Sequence, residues 1–69
     1  MIVLLTARVK YANALNVLEK VLLPSHSEFL YLVRIQDELK ERRYWVLYER
    51  SAKLMAFWLK NLYQDQVLV

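Results

Sequence analysis

The chain has 69 residues, 58% of them apolar, with a net charge of +3, no cysteine and a single histidine, His26. This composition excludes disulfides, zinc–thiolate sites, thiol nucleophiles and an imidazole metal cluster, so we expect no metal. A chain this short forms one domain, 1–69, and buries only ~60% of the surface that its unfolded form exposes. The large apolar fraction therefore predicts self-association, most simply as a homodimer.

The first half of the chain shows three candidate elements. Residues 2–10 alternate apolar and polar side chains, which is typical of a half-buried strand. Leucines spaced i, i+3 and i+7 within residues 13–23 predict a helix, which Asn13 would cap and Pro24 would end. Residues 29–36 are rich in aromatic and β-branched types, which favour a second strand.

The second half repeats this order. The charged residues 37–43 are predicted to form a connection, and residues 44–50 to form a third strand. Ser51 is a suitable N-cap for a second helix, and residues 67–69 fit a short final edge strand. The sequence therefore predicts an α+β protein, a ferredoxin-like βαββαβ antiparallel sheet with two helices on one face.

An all-α helical bundle is the alternative. Ser25 and Glu28 have the spacing of a capping box, in which each residue satisfies a backbone N–H of the other. Tyr44, Leu47, Ser51 and neighbouring residues also recur at helical spacing, and the absence of glycine suits helices. The alternation at the start of the chain and the β-branched content of its middle favour the mixed fold.

Two segments resemble the antibiotic biosynthesis monooxygenase family. Residues 1–3, Met-Ile-Val, followed by residues 6–10, Thr-Ala-Arg-Val-Lys, resemble its first strand. Residues 46–50, Val-Leu-Tyr-Glu-Arg, resemble its third. The polar segment 24–28 is similar to the family's helix exit. The resemblance implies a dimeric α+β barrel with a pocket between sheet and helices in each protomer. It also implies a cofactor-independent oxidoreductase that acts on a planar aromatic or quinol-type ligand.

Four residues are the ligand-binding candidates under this resemblance. Trp58 would stack on the ligand, Tyr48 would hydrogen-bond to a ligand oxygen, and Arg50 would pair with a carboxylate or phenolate. The structural alternatives are that Trp58 packs in the core, that Tyr48 packs with its hydroxyl at the rim, and that Arg50 forms an ion pair. The fourth candidate is Tyr63, which stands at the position of a His in the family. Ser51 stands at the position of a Trp, and because both family residues are replaced, catalysis is expected to be impaired.

Two other functions compete with the monooxygenase. One is a non-catalytic dimeric structural or interaction module, natural or designed, in which the aromatic residues only build a core and an interface. The other is nucleic-acid binding, which the charge pattern disfavours because Arg42-Arg43 is the only adjacent basic pair.

No uncharged stretch approaches the ~18 residues of a membrane span, and the N-terminal residues do not resemble a signal peptide, so we expect a cytoplasmic protein. The dimer would form through the open sheet faces, covered by Ile2, Leu4, Leu30, Leu32, Trp45 and Leu47.

Overall fold

Three helices account for nearly all of the chain that a computed structural model describes, which is residues 6–67 with the side chains of 6–64. They are α1 (Ala7–Leu18), α2 (His26–Glu41) and α3 (Trp45–Val67). The chain runs up, down and up, so that α2 is antiparallel to both of its neighbours. No strand occurs between residues 6 and 67. The protein is a small all-α bundle, which is the alternative that the sequence left open.

The predicted ferredoxin-like sheet is wrong. Residues 29–36 lie inside α2, residues 45–50 begin α3, and residues 7–10 form the first turn of α1. The remainder of the first predicted strand, 2–5, and residues 68–69 lie outside the described residues. Aromatic and β-branched side chains favour strands only where a pleated neighbour packs against them. In this chain the helical spacing of the apolar residues decides the structure.

Because residues 6–67 contain no sheet, the resemblance to the monooxygenase family is wrong as well. A dimeric α+β barrel needs strands in the segments that carried the resemblance, and both segments are helical in the described part of the chain. The predicted monooxygenase activity is therefore wrong as well, because it rested on a pocket between a sheet and helices. The predicted dimer contact through sheet faces is also wrong, and Leu32 and Leu47 of that set are buried in the helical core.

The first helix is shifted from its predicted place. It begins at Ala7 and ends at Leu18, whereas the leucine spacing predicted 13–23. Its N-cap is Thr6, whose hydroxyl accepts a hydrogen bond of 3.3 Å from the backbone N–H of Val9. Asn13, the predicted cap, is an exposed residue in the middle of the helix.

The start of α2 carries the capping box that the spacing of Ser25 and Glu28 predicts. The Ser25 hydroxyl accepts a hydrogen bond of 3.3 Å from the Glu28 N–H. The Glu28 carboxylate accepts one of 2.8 Å from the Ser25 N–H. Two N–H groups that the helix itself leaves unpaired are thereby satisfied, and the carboxylate lies at the positive end of the helix dipole.

The turn between α2 and α3 places Arg43 in the left-handed region, with φ of 61°. The Arg43 N–H donates to the Lys40 carbonyl at 3.1 Å, and the Tyr44 N–H donates to the Leu39 carbonyl at 3.0 Å. This pair of bonds is a Schellman motif, whose left-handed position is usually glycine. An arginine there is disfavoured by its Cβ atom, so the lack of glycine has a local cost.

The core lies where the three helices meet. Each helix contributes apolar residues three or four positions apart, which is the spacing of one helix face. The buried members are Leu15, Leu18, Leu32, Ile35, Leu39, Leu47, Leu54 and Trp58. Ser51, the predicted N-cap, lies instead in the middle of α3, where it is fully buried and donates a 2.6 Å hydrogen bond to the Tyr48 carbonyl. Within the described range, no helix combines the length and the apolarity that crossing a membrane requires.

Ser25→Ala is expected to lower the free energy of unfolding by about 1 kcal/mol, because it removes the acceptor for the Glu28 N–H. Urea denaturation followed by circular dichroism measures the change. Ser27→Ala is the matched control, since Ser27 is an exposed residue two positions into the same helix end and caps nothing. Equal losses in the two variants would contradict the capping role.

Arg43→Gly is expected to raise the free energy of unfolding by about 0.5–1 kcal/mol, because glycine adopts a positive φ without a steric penalty. Thermal denaturation should show a melting temperature several degrees higher. Arg43→Ala removes the same charge but keeps a Cβ atom, so it should give no such gain. Stabilisation by both variants would assign the effect to charge rather than to backbone conformation.

Candidate interaction surface

Helix α3 carries two apolar stripes side by side. The first faces the core and contains Leu47, Ser51, Leu54 and Trp58, all buried. The second lies next to it and repeats at intervals of three and four residues, the spacing of a heptad seam. Its members are Trp45, Tyr48, Ala52, Met55 and Leu59. Tyr48 and Met55 are half-buried and pack against the edge of the core, whereas Trp45 and Leu59 at the two ends of the stripe are exposed, so the bundle covers this second stripe only in part.

The contacts of α1 identify the side of α3 that is covered. Tyr11 of α1 meets the ring of Tyr44 edge-on, with ring centroids 6.3 Å apart. Further along, Arg50 binds the end of α1, and Asn61 donates a 2.9 Å hydrogen bond to the Leu22 carbonyl. At 100° per residue, Arg50 and Asn61 lie about half a turn away from the centre of the second stripe. The second stripe therefore lies on the side of the α2–α3 pair that α1 does not cover.

Helix α2 extends this surface at its N-terminal half. Phe29 and Val33 are half-buried and lie on the flank of α2 that adjoins the second stripe. One and two turns further on, the same flank reads Gln36 and Lys40, so the apolar part of α2 stops there. We define the open face as Phe29, Val33, Trp45, Tyr48, Ala52, Met55 and Leu59. Trp45 is 55% exposed and Leu59 is 49% exposed, although both are large apolar residues.

A shallow cavity marks one end of the open face. It has a volume of about 340 Å³ and lies between the start of α2 and the C-terminal half of α3. Its lining is mostly apolar and consists of Pro24, Ser25, His26, Phe29, Leu59 and Leu62. At the other end of the open face, Trp45 packs edge-on against Tyr48, with ring centroids 5.9 Å apart and an interplanar angle of 90°.

The opposite flank of α3 also exposes apolar side chains but is interrupted by charge. Val46 and Phe57 lie there, and Phe57 is 43% exposed. Arg50 and Lys53 stand between them at helical spacing, so the two apolar residues form no continuous surface. The open face has no charged residue among its seven members, which distinguishes it from this flank.

Trp58 and Tyr48, two of the predicted ligand-binding residues, lie on different stripes of α3. Trp58 has no exposed surface, and its indole N–H donates a 2.9 Å hydrogen bond to the Val21 carbonyl. Both its apolar ring and its polar group are thus occupied within the chain. Tyr48 is half-buried in the open face. Their predicted part in binding a ligand stays a prediction.

Tyr63 and Arg50, the other two predicted residues, are also apart. Tyr63 is 68% exposed near the end of the described side chains. Arg50 binds Glu19 through two hydrogen bonds, 2.9 Å from Nε and 2.6 Å from Nη2, and also donates to the side-chain carbonyl of Asn16. The cavity beside Leu59 includes none of the four predicted residues.

The Arg50–Glu19 pair fastens the end of α1 to α3. The hydrogen bond from Arg50 stabilises the carboxylate and holds the pKa of Glu19 below its ordinary value of 4.5, although partial burial opposes the shift. The same bond raises the pKa of Arg50. About a third of each side chain is exposed, so solvent weakens the attraction.

Sequence reasoning named Trp45 as apolar cover but assigned it to a sheet, and it did not find the open face. The signal is in the sequence: positions 45, 48, 52, 55 and 59 follow a heptad spacing once the segment is taken as one helix. Two adjacent stripes become visible only when that helix runs through Ser51.

Compared with models of protein families, with curated proteins and with solved structures, the chain gives no match.

Glu19→Gln is expected to lower stability near neutral pH by about 0.2–1 kcal/mol, the range of a partly exposed ion pair. The pKa of Glu19 is depressed in the folded chain, so its contribution is complete above the unfolded pKa and is lost as the pH falls through the folded pKa. The difference between wild type and variant should therefore vanish in acid. Urea denaturation at several pH values checks this, with the exposed Asp37→Asn as control. A difference that persists below the folded pKa would contradict the assignment.

Proposed function

We propose that this chain is a non-catalytic helical interaction module that binds a second copy of itself through the open face. The observation that carries the proposal is the second apolar stripe of α3. A stripe that is uncharged from Trp45 to Leu59 is typical of a helix surface that another helix covers.

The energetics support covering this stripe. Full burial of a large apolar side chain stabilises a structure by ~1.5–3 kcal/mol. About half of the surface of Trp45 and of Leu59 is exposed in the single chain, so about half of that stabilisation is still to be gained by covering them. Each copy in a pair would contribute the same surface, so the gain from every covered residue is counted twice.

The size of the chain makes this gain important. One core in a chain of 69 residues rarely provides more than ~3–5 kcal/mol of net stability. Binding that involves only the folded state adds to stability by mass action. A module of this kind is most stable when assembled, which couples its folding to its interaction.

Size-exclusion chromatography with light scattering at micromolar concentration is expected to give about twice the 8.3 kDa mass of one chain. Leu59→Glu should shift the mass to that of the single chain, because it places a carboxylate inside the apolar contact. The melting temperature of the wild type should also rise with concentration.

Phe57→Glu is the matched control. Phe57 is exposed to a similar degree and lies only two residues away, but on the charged flank of α3. This variant should keep the wild-type mass. A wild-type mass of 8.3 kDa at every concentration up to hundreds of micromolar would contradict the proposal.

A further inference from the structure

We propose that the second copy docks with its α3 antiparallel to the first, about a two-fold axis beside Ala52, so that Trp45 of each chain covers the cavity at Leu59 of the other. This inference rests on the proposed function and adds its geometry. Such a contact is isologous, since the same surface is used by both copies.

The sizes of the side chains along the stripe favour this register. Ala52 lies midway between Trp45 and Leu59, seven residues from each, and is the smallest member of the stripe. An antiparallel pair centred there brings the two helices closest at an alanine and places Tyr48 over the small Ala56 of the second copy. Tyr48 then meets a small residue, and Trp45 meets Leu59 and the cavity beside it. A parallel pair would instead set Trp45 against Trp45 and Tyr48 against Tyr48.

The cavity needs an occupant from outside the chain. Fourteen residues separate Trp45 from Leu59, which is about 21 Å along the helix, so Trp45 cannot reach the cavity of its own chain. The antiparallel register brings the second copy's Trp45 to the level of Leu59, beside Phe29. The cavity of about 340 Å³ is lined mainly by apolar side chains that an indole can contact. Its edge-on contact with Tyr48 already orients that indole.

The charges beside the stripe are complementary in this register. Glu49 and Lys53 are exposed on the edge of α3 away from α2, and neither forms an ion pair within the described part of the chain. In an antiparallel pair, equivalent edges of the two helices face each other. With the axis at Ala52, Glu49 lies within about 3 Å, measured along the helix, of Lys53 in the second copy. The symmetry forms this pair twice.

The composition of α2 excludes the main alternative arrangement. A two-fold axis parallel to the helices would place α3 of one copy over α2 of the other. Trp45 and Tyr48 would then lie over Gln36 and Lys40, which are polar. The axis beside Ala52 instead places α3 on α3, so that the two apolar stripes meet, and Gln36 and Lys40 lie over α2 of the second copy rather than over the stripe.

The available area is that of a weak, reversible interface. The open face spans about 21 Å along α3 and two helix diameters of about 10 Å across, a flat projection of roughly 400 Å². The relief of the side chains makes their surface larger than this projection. Stable interfaces bury about 800 Å² per partner, and weak ones less than about 600 Å².

The test uses single cysteines, which are unambiguous because the chain has none of its own. Ala52→Cys should form a disulfide between copies under mild oxidation, because its sulfurs meet at the axis. Ala56→Cys is the matched control one turn away, where antiparallel copies hold the two sulfurs about 12 Å apart along the helix, too far for a disulfide. Since facing thiols have an effective concentration in the millimolar range, Ala52→Cys should cross-link on the order of 100-fold faster at micromolar protein.

The other outcomes separate the geometry from the function. Rapid cross-linking of both variants would indicate a parallel pair and overturn the geometry. A dimer by light scattering in which neither variant cross-links would place α3 over α2 and also overturn it. In both cases the proposed function stands. A monomeric wild type would overturn the function and the geometry together.

Mixing charge variants gives a second test that leaves the apolar contact intact. Glu49→Lys and Lys53→Glu should each associate roughly 2- to 20-fold more weakly, because like charges meet twice across the axis. An equimolar mixture should recover wild-type affinity through hetero-dimers, although each chain alone keeps its like-charged neighbours. Sedimentation of the mixture against each variant measures this. No recovery on mixing would show that these residues do not face each other, and would overturn the register.

Discussion

The indole of Trp58 holds the bundle together, because it is buried in the core to which all three helices contribute. It is the largest fully buried side chain, and its N–H is bonded to the Val21 carbonyl in the segment that follows α1. A buried indole without that acceptor would leave an unpaired donor in an apolar environment, which is costly. The bond therefore fixes where the α1–α2 connection lies against α3. Since α1 is attached at its other positions through Tyr11 and Glu19, its place on one side of the α2–α3 pair is determined.

That one-sided attachment produces the open face. Helix α1 has twelve residues and α3 has twenty-three, so α1 is too short to lie along all of α3. Antiparallel helices commonly complete their core as four-helix bundles. Two α2–α3 pairs joined face to face give such a bundle, with each α1 on the outside. In the proposed dimer, the surplus apolar residues of α3 would have the same role as an ordinary core, which would account for the excess of apolar residues in the composition.

Local signals in the sequence predicted some of this fold correctly. The capping box at Ser25 and Glu28 is present as its spacing indicates, because it depends only on residues three positions apart. The strand predicted over 29–36 failed because aromatic and β-branched content describes a preference that packing overrides. Leu32, Ile35 and Leu39 share one helical face, and the burial of that face in the core outweighs the intrinsic preference. The start of α1 was missed because Thr6 was assigned to an alternating strand.

The interaction surface depended on recognising a single long helix from Trp45 onward. A strand over 44–50 followed by a helix from Ser51 requires the chain to change direction at Ser51, and nearby residues offer neither glycine nor proline to make that turn. A final strand at 67–69 requires a second turn with the same difficulty. Apolar runs of five or six residues fit either period, so their own pattern cannot decide between strand and helix. The absence of glycine and proline over more than twenty positions can decide it, since a strand rarely exceeds ten residues. Given that helix, the heptad spacing of its second stripe follows directly, and with it a surface that the single chain leaves uncovered.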